Sequence, residues 1–262
     1  LNQRRNTVPL EIITIPCLSD NYAYLAHDAD TGQTMVVDVP EAAPIIAALQ
    51  HRGWVLSHVL LTHHHWDHVD GLKALLSACP AQVIGAAADA HRLANLDHAL
   101  HEGDSLQIGA YSGEVIDVSG HTLGHIAMYF PKSKAVFTAD SLMALGCGRL
   151  FEGSPKLMHQ SLKKLATLPP DTLVYSGHEY TTSNLKFAQS IEPDNPRLMS
   201  RGKQIAAARS AGRPTVPELL SEELATNPFL RADKAEVRKA VALEDAEDWE
   251  VFAEIRSRKD HF

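Results

Sequence analysis

The stretch LLTHHHWDHVDG, residues 60–71, restricts what this chain can fold into more than any other feature. An apolar run ends in a cluster of histidines, His63, His64, His65 and His68, broken by Trp66 and Asp67. The run SHVLLT (57–62) reads as a strand, and residues two apart in extended chain point to the same side, so His63 and His65 converge on one point. Asp67 and His68 fall in the turn into the next helix and face a second point. A lone histidine is ordinarily a surface or satisfied core residue. Imidazoles and a carboxylate crowded between a strand and a helix are instead the donors that transition metals take. Such a site needs further ligands from distant segments.

From Leu10 to about Tyr175 the chain alternates short β-rich runs with helical patterns. Strands are expected at 10–16, 22–27, 34–39, 57–62, 81–86, 105–109, 113–118, 125–130, 134–140 and 172–177, each bounded by turn-forming residues. Helices are expected at 42–52, 69–78 and 155–167, the last with Ser154 as N-cap and Pro155 at its first position. After Gly177 the pattern turns helical, through TTSNLKFAQSI, PRLMSRGKQIAAARSAG, VPELLSEEL and DAEDWEVFAEIRSRK. A mixed α/β domain over 1–177 and a smaller all-α domain over 178–262 follow. In this layout His121 lies in a glycine-flanked loop between strands, Asp140 ends the strand VFTAD, and His178 follows LVYSG. Loops after rigid strands are where ligands collect. Together with His63, His65, Asp67 and His68 they make a set of histidines and aspartates without cysteine, which suits two transition-metal ions such as zinc. A pair of divalent ions acidifies a shared water and polarises a carbonyl, so a hydrolase is the leading class.

Composition narrows the alternatives. The 262 residues are 45% hydrophobic and 21% charged, with a net charge of −8, which argues against nucleic acid as the main partner. No apolar segment reaches the roughly 18–20 residues needed to span a bilayer, and the opening LNQRRNTVPLEI has no signal-like apolar core, so a cytoplasmic protein without membrane contact is expected. Cys17, Cys79 and Cys147 form no ligand spacing and read as reduced structural thiols. Cys147, in LGCGRL, has no histidine at fixed local spacing to activate it, and is read as a packing residue rather than a nucleophile.

The words THHHWDH, SGHTLGH, FTAD and SGHEY resemble the metallo-β-lactamase superfamily. CLSDNYAYL, GCGRLFEG, GHEYTTSNLKFA, NPFLR and the ending IRSRKDHF look like glyoxalase II, the hydroxyacylglutathione hydrolases, and the likeness runs from about Ile12 to the C-terminus. The resemblance implies an αββα sandwich with metals at one edge and a C-terminal helical domain that helps hold substrate. It implies that His63, His65 and His121 bind one metal, that Asp67, His68 and His178 bind another, and that Asp140 bridges them. The ions would be zinc, with iron or manganese as alternatives. The implied reaction is hydrolysis of S-D-lactoylglutathione to D-lactate and glutathione by a metal-bridged hydroxide, the second step of methylglyoxal detoxification. Asp67, near that nucleophile, would orient it or take its proton. Arg149, Arg256 and Lys259 would grip a carboxylate of glutathione, and Tyr180 would contact its peptide; no obligate protein partner is implied.

Two positions depart from the pattern: Phe151 stands where many relatives carry a tyrosine, and Arg149 where lysine is usual. Other readings keep the fold but change the chemistry, as in a persulfide dioxygenase, a lactonase or a β-lactamase. The intact seven-residue set argues against a single-iron enzyme, and the RSRKD tail against a generic lactonase. A non-enzymatic metal module would be expected to close its site with cysteines.

Overall fold

The computed structural model describes residues 9–93 and 95–262; the opening LNQRRNTV, where a leader was sought, lies outside the described residues. The N-terminal part forms strands β1 Glu11–Cys17, β2 Asn21–His27, β3 Gln33–Val37, β4 Val55–Leu61, β5 Gln82–Ala86 and β6 His98–Leu100, paired in that order as one sheet. Helices α1 Ala42–Arg52, α2 Trp66–Val69 and α3 Leu72–Ala78 interrupt it. Strands β7 Ser105–Ile108, β8 Tyr111–Asp117, β9 Ile126–Phe130, β10 Ala135–Ala139, β11 Leu142–Met143, β12 Gly146–Cys147, β13 Leu173–Ser176 and β14 Glu218–Leu219 follow. The second sheet has the order β14-β13-β10-β9-β8-β7, and β11 with β12 makes a small hairpin beside it.

Alternation along the strands explains the layering, because successive side chains leave opposite faces of a sheet. Tyr24, Met35, Val37 and Leu60 of the first sheet meet Val115, Met128, Phe130 and Phe137 of the second in one buried core. Their neighbours Leu25, Val36, Val59 and Leu61 point the other way, onto Ile45 and Leu49 of α1 and Leu75 of α3. The outer face of the second sheet, through Ala127, Tyr129, Val136 and Val174, packs on α4 Pro155–Ala166 and on helices from beyond residue 177. The result is the αββα sandwich that the resemblance implied. Ser154 caps α4, accepting from Leu157 N at 3.2 Å, with Pro155 at the first position. Losing such a cap costs about 1 kcal/mol.

The C-terminal helices are α5 Thr181–Ile191, α6 Pro196–Ser210, α7 Leu220–Thr226, α8 Ala235–Ala240 and α9 Asp248–Asp260. They are not packed as a separate body: Phe187, Val251, Phe252 and Ile255 share one core with β9, β10 and α4. The stretch VPELLSEEL is not wholly helical either. Glu218 and Leu219 pair with Val174 and Leu173 as the antiparallel edge of the second sheet before α7 begins. A buried Arg201–Glu223 ion pair joins α6 to α7, and Glu223 Oε2 also accepts from Leu145 N at 2.9 Å. Asn227 Nδ2 donates to the carbonyls of Met143 and Gly146, at 3.1 and 3.0 Å. The helical part thereby holds the β11–β12 hairpin that forms one wall of the cleft described next. No helix among the described residues is long and apolar enough to cross a membrane.

Candidate metal centre and substrate cleft

The seven side chains singled out by spacing converge where β4, β10 and β13 end. β4 stops at Leu61, and the chain stays extended through His65 (φ −61°, ψ 142°) before α2 opens at Trp66. The pair His63 and His65 therefore lies just beyond the strand, with Asp67 and His68 in the first turn of the short helix. Donor atoms of His63, His65 and His121 lie within 4.8 Å of one another, as do those of Asp67, His68 and His178. Between these triads stands Asp140. Its Oδ1 is 3.5 Å from His68 Nε2, and its Oδ2 is 3.5 Å from His121 Nε2 and 3.2 Å from His178 Nε2. A third grouping, Asp38 with His63 and His68, is also close enough, but Asp38 lies behind His68, on its Nδ1.

Outer partners aim four of the five rings, while His65 Nδ1 lies 2.9 Å from His121 Nε2. His68 Nδ1 donates to Asp38 at 2.8 Å, His121 Nδ1 to the Arg149 carbonyl at 2.7 Å, and His178 Nδ1 to Asp20 at 2.9 Å. His63 Nδ1 donates to the Thr62 hydroxyl at 3.0 Å, which itself donates to Asp38 at 2.8 Å. With Nδ1 so engaged, His63, His68, His121 and His178 turn Nε2 inward, the orientation that metal-binding histidines adopt. Asn21 Nδ2 holds Asp67 through its carbonyl at 3.0 Å and its Oδ2 at 3.1 Å. His125 Nε2 accepts from Asp140 N at 3.3 Å, and its ring stacks on His63.

The donor set fits divalent cations. His63 Nε2 and Asp140 Oδ1 are buried and have no hydrogen-bond partner. A buried polar atom left without a partner is costly, and each of these two calls for a ligand. Burial, reinforced by neighbouring imidazoles, keeps His63 well below the ordinary histidine range and His65 down at about 4, so both offer free lone pairs at neutral pH. Burial also opposes charge on His68 and His178, yet the Asp140 carboxylate beside them raises both. Asp140 itself, despite burial, is held well below the usual carboxylate range by His68 and His178.

The centre forms the floor of a cleft of about 770 Å³. The opposite wall is basic and comes from the loop after β12 and from α9. A capping box of Glu247 and Glu250 starts α9, which carries Arg256 and Lys259 at its other end. The structure separates their roles. Arg256 is buried; Nη1 donates to the Cys147 carbonyl at 2.9 Å and Nη2 to Asp260 at 3.0 Å. Arg149 is largely exposed, 3.4 Å from the same Asp260. Lys259 has only long contacts to Ser183, at 3.4 and 3.5 Å, and lies over Phe187 and Phe262. It is the cation with most freedom to meet a new anion. Tyr180 stacks on His178 with ring centroids 4.5 Å apart, half open to the cleft. Phe151 packs edge-on against His65 and His121, at 5.4 and 5.3 Å. Cys147 lines the cleft, but burial pushes its thiol up to about 11.

Sequence reasoning missed Asp20, Asn21, Asp38 and His125. The first two stand in the quoted word CLSDNYAYL and Asp38 directly follows β3, so acidic and amide residues at strand ends were the available signal.

A model of the metallo-beta-lactamase superfamily matches residues 20–178, and one of the hydroxyacylglutathione hydrolase C-terminus matches 179–262. The fold resembles the crystal structure of the BLEG-1 B3 metallo-beta-lactamase, with a TM-score of 0.66 over 84% of this chain and 99% of that one, at 22% identity. It also resembles TTHA1623 in a di-iron-bound form, with a TM-score of 0.52 and 30% identity over 64% of this chain and 92% of that one. Fold and donor set together define a metal-dependent hydrolase of the metallo-beta-lactamase superfamily. Within it, a hydroxyacylglutathione hydrolase of Jannaschia sp. (strain CCS1) is 64% identical over 252 residues, 96% of this chain and 98% of the relative. The chain belongs to the hydroxyacylglutathione hydrolase family.

Proposed function

We propose that the chain hydrolyses 2-hydroxyacylglutathione thioesters, S-D-lactoylglutathione foremost, to the 2-hydroxy acid and glutathione. His63, His65 and His121 would hold one divalent ion, Asp67, His68 and His178 a second, and Asp140 both; zinc suits the nitrogen-rich set. Bound there, the ions would supply Lewis acidity and a water acidic enough to react near neutral pH. The observation that carries the reading is the pairing of this floor with a cationic wall contributed by α9 and the loop after β12, across a cleft large enough for a tripeptide thioester.

The chain's own residues then have defined tasks. Lys259 takes a carboxylate of the glutathione portion, with Arg149 at the exposed edge, while Arg256 fixes the Cys147 carbonyl and so the loop that presents Arg149. Tyr180 lies against the peptide. Asp67, whose side chain is 20% exposed, is the carboxylate that reaches from the floor into the cleft, held in place by Asn21. It orients the attacking water and takes up its proton, and Asp140 keeps the charge balance of the floor. As the water oxygen bonds to the carbonyl carbon, the carbon–sulfur bond breaks and the thiolate departs; an unperturbed thiol pKa of about 8.5 makes a strong general acid unnecessary. Free thiols at Cys17, Cys79 and Cys147 agree with work in the cytoplasm. Steady-state hydrolysis of S-D-lactoylglutathione by the purified chain and by Asp140→Ala tests the reading. Loss of turnover in a folded variant is expected; unchanged turnover removes the metal-hydrolase mechanism. Oxygen uptake with glutathione persulfide and an intact thioester would favour a dioxygenase instead.

A further inference from the structure

His64, the spacer between His63 and His65, has no place in the donor set, yet it is not idle. Its Nδ1 donates to Asp89 Oδ2 at 2.9 Å, and its Nε2 lies 3.7 Å from Glu152 Oε1. Asp89 is fully buried, and its other oxygen accepts from Arg92, through Nε at 3.1 Å and through Nη2. Arg92 also donates to both oxygens of Glu152, and Glu152 Oε2 accepts from Leu123 N at 2.8 Å. Arg92 holds the Glu152 carboxyl down at about 2, so this acid stays charged across the working range.

These four side chains join three segments. One is the loop 62–66 with His63 and His65. Another is the loop 120–124 with His121. The last is the strap 149–153, whose Arg149 carbonyl accepts from His121 Nδ1. Phe151 N donates to the His121 carbonyl at 3.2 Å and Gly153 N to the Gly120 carbonyl at 3.0 Å, which lashes strap to loop along its length. The approach is close enough to require glycine: a Cβ on Gly124 would come within 2.2 Å of Asp89 Cγ, and one on Gly153 within 2.5 Å of the Gly120 oxygen. Among the described residues, no comparable hydrogen bond links this network to the side chains of His68, Asp67 or His178, which are held by Asp38, Asn21 and Asp20.

We infer that His64, Asp89, Arg92 and Glu152 form a clasp that positions the His63, His65 and His121 triad, so that cation affinity at this triad depends on it while affinity at the other does not. The inference rests on the metal assignment proposed above, but its readout does not need the substrate. Outer-shell partners of metal ligands are commonly worth ~10–100-fold in affinity.

The test compares the full chain with His64→Leu, which removes the donor to Asp89, and with His64→Asn, whose side-chain amide keeps one. Zinc is added to metal-stripped protein in competition with a chromophoric chelator, so that its two equivalents are resolved. The thermal midpoint of the metal-free proteins and kcat and KM for S-D-lactoylglutathione are recorded on the same samples. For His64→Leu, one equivalent is expected to weaken by ~10–100-fold with the other unchanged, and kcat at limiting zinc to fall more than KM rises. His64→Asn is expected to recover most of the loss. Equal weakening of both equivalents, no weakening, or failure of His64→Asn to recover anything overturns the clasp. A parent chain that binds zinc at both triads yet leaves the thioester intact would overturn the functional reading and leave the clasp standing.

Discussion

Replacing Asp38 by asparagine should disarm one ligand while sparing the fold. Asp38 is buried in a left-handed conformation (φ 58°) that asparagine tolerates. Its Oδ1 accepts from Thr62 N, and its Oδ2 from the Thr62 hydroxyl and from His68 Nδ1, each at 2.8 Å. An asparagine must keep its oxygen on Thr62 N, since a flipped amide would face that buried N–H with another donor and cost about 1–3 kcal/mol. Its NH₂ then points at His68 Nδ1, which has to accept. The His68 proton moves to Nε2, the atom that faces Asp140 and His178, and the inward lone pair is lost. By the usual worth of such partners, affinity for the cation at the Asp67, His68 and His178 triad should fall by ~10–100-fold, or about 1.4–2.7 kcal/mol. Stability of the metal-free chain should change by only about 1–2 kcal/mol, because Thr62 N keeps its acceptor and only the Thr62 hydroxyl must turn its proton elsewhere. Asp38→Ala, which strands three buried donors, should instead cost about 3–5 kcal/mol. Zinc competition and urea unfolding on the metal-free proteins read the two effects separately. An Asp38→Asn variant with parental affinity at both triads would refute the tautomer argument, and equal stability of the Asn and Ala variants would refute the hydrogen-bond accounting.

Other expectations concern the cleft. Lys259→Ala should raise KM for S-D-lactoylglutathione by about 10-fold or more with little change in kcat or thermal midpoint, since a hydrogen bond to a charged group is worth about 1.5–3 kcal/mol; unchanged KM would exclude the carboxylate grip. Arg256→Ala should also lower the thermal midpoint, because the buried Cys147 carbonyl loses its donor. Phe151→Tyr adds a hydroxyl at the cleft and should lower KM by about 2–10-fold, a gain of ~0.5–1.5 kcal/mol; a higher KM would show that the phenyl edge is required. Cys147, with its thiol raised to about 11, should resist alkylation at pH 7 and react faster only as pH climbs toward that value, and Cys147→Ala should retain turnover. Rapid alkylation at pH 7 with loss of activity would restore the cysteine mechanism.

Much of this was legible in the chain because its elements carry strong local signals. The strand at 57–62 is a bounded apolar run and the helix at 155–167 has a clear period and cap, and the extended chain that continues from the first is what aligns His63 with His65. Elements without a period were not seen: β11, β12 and β14 are two residues long, and β14 exists only because Glu218 and Leu219 meet β13, more than forty residues earlier in the chain. The same distinction runs through the site. The seven side chains that converge share one compact motif and three strand ends, so spacing and family resemblance could group them. Asp20, Asn21, Asp38 and Asp89 act through contacts 25 to 158 positions away, which leave no local pattern. Basic residues at 149, 256 and 259 could be named as a group, but only the fold reveals that Asp260 lies between two of them and leaves Lys259 the freer.

Stepwise refilling of metal-stripped protein, with zinc content and S-D-lactoylglutathione hydrolysis measured on the same samples, bears most directly on the central claim. Turnover should be absent without metal, should rise with zinc until both triads are filled, and should not return in Asp140→Ala at any zinc level. Full turnover by the metal-stripped chain, or a chain filled at both triads that leaves the thioester intact, would contradict it.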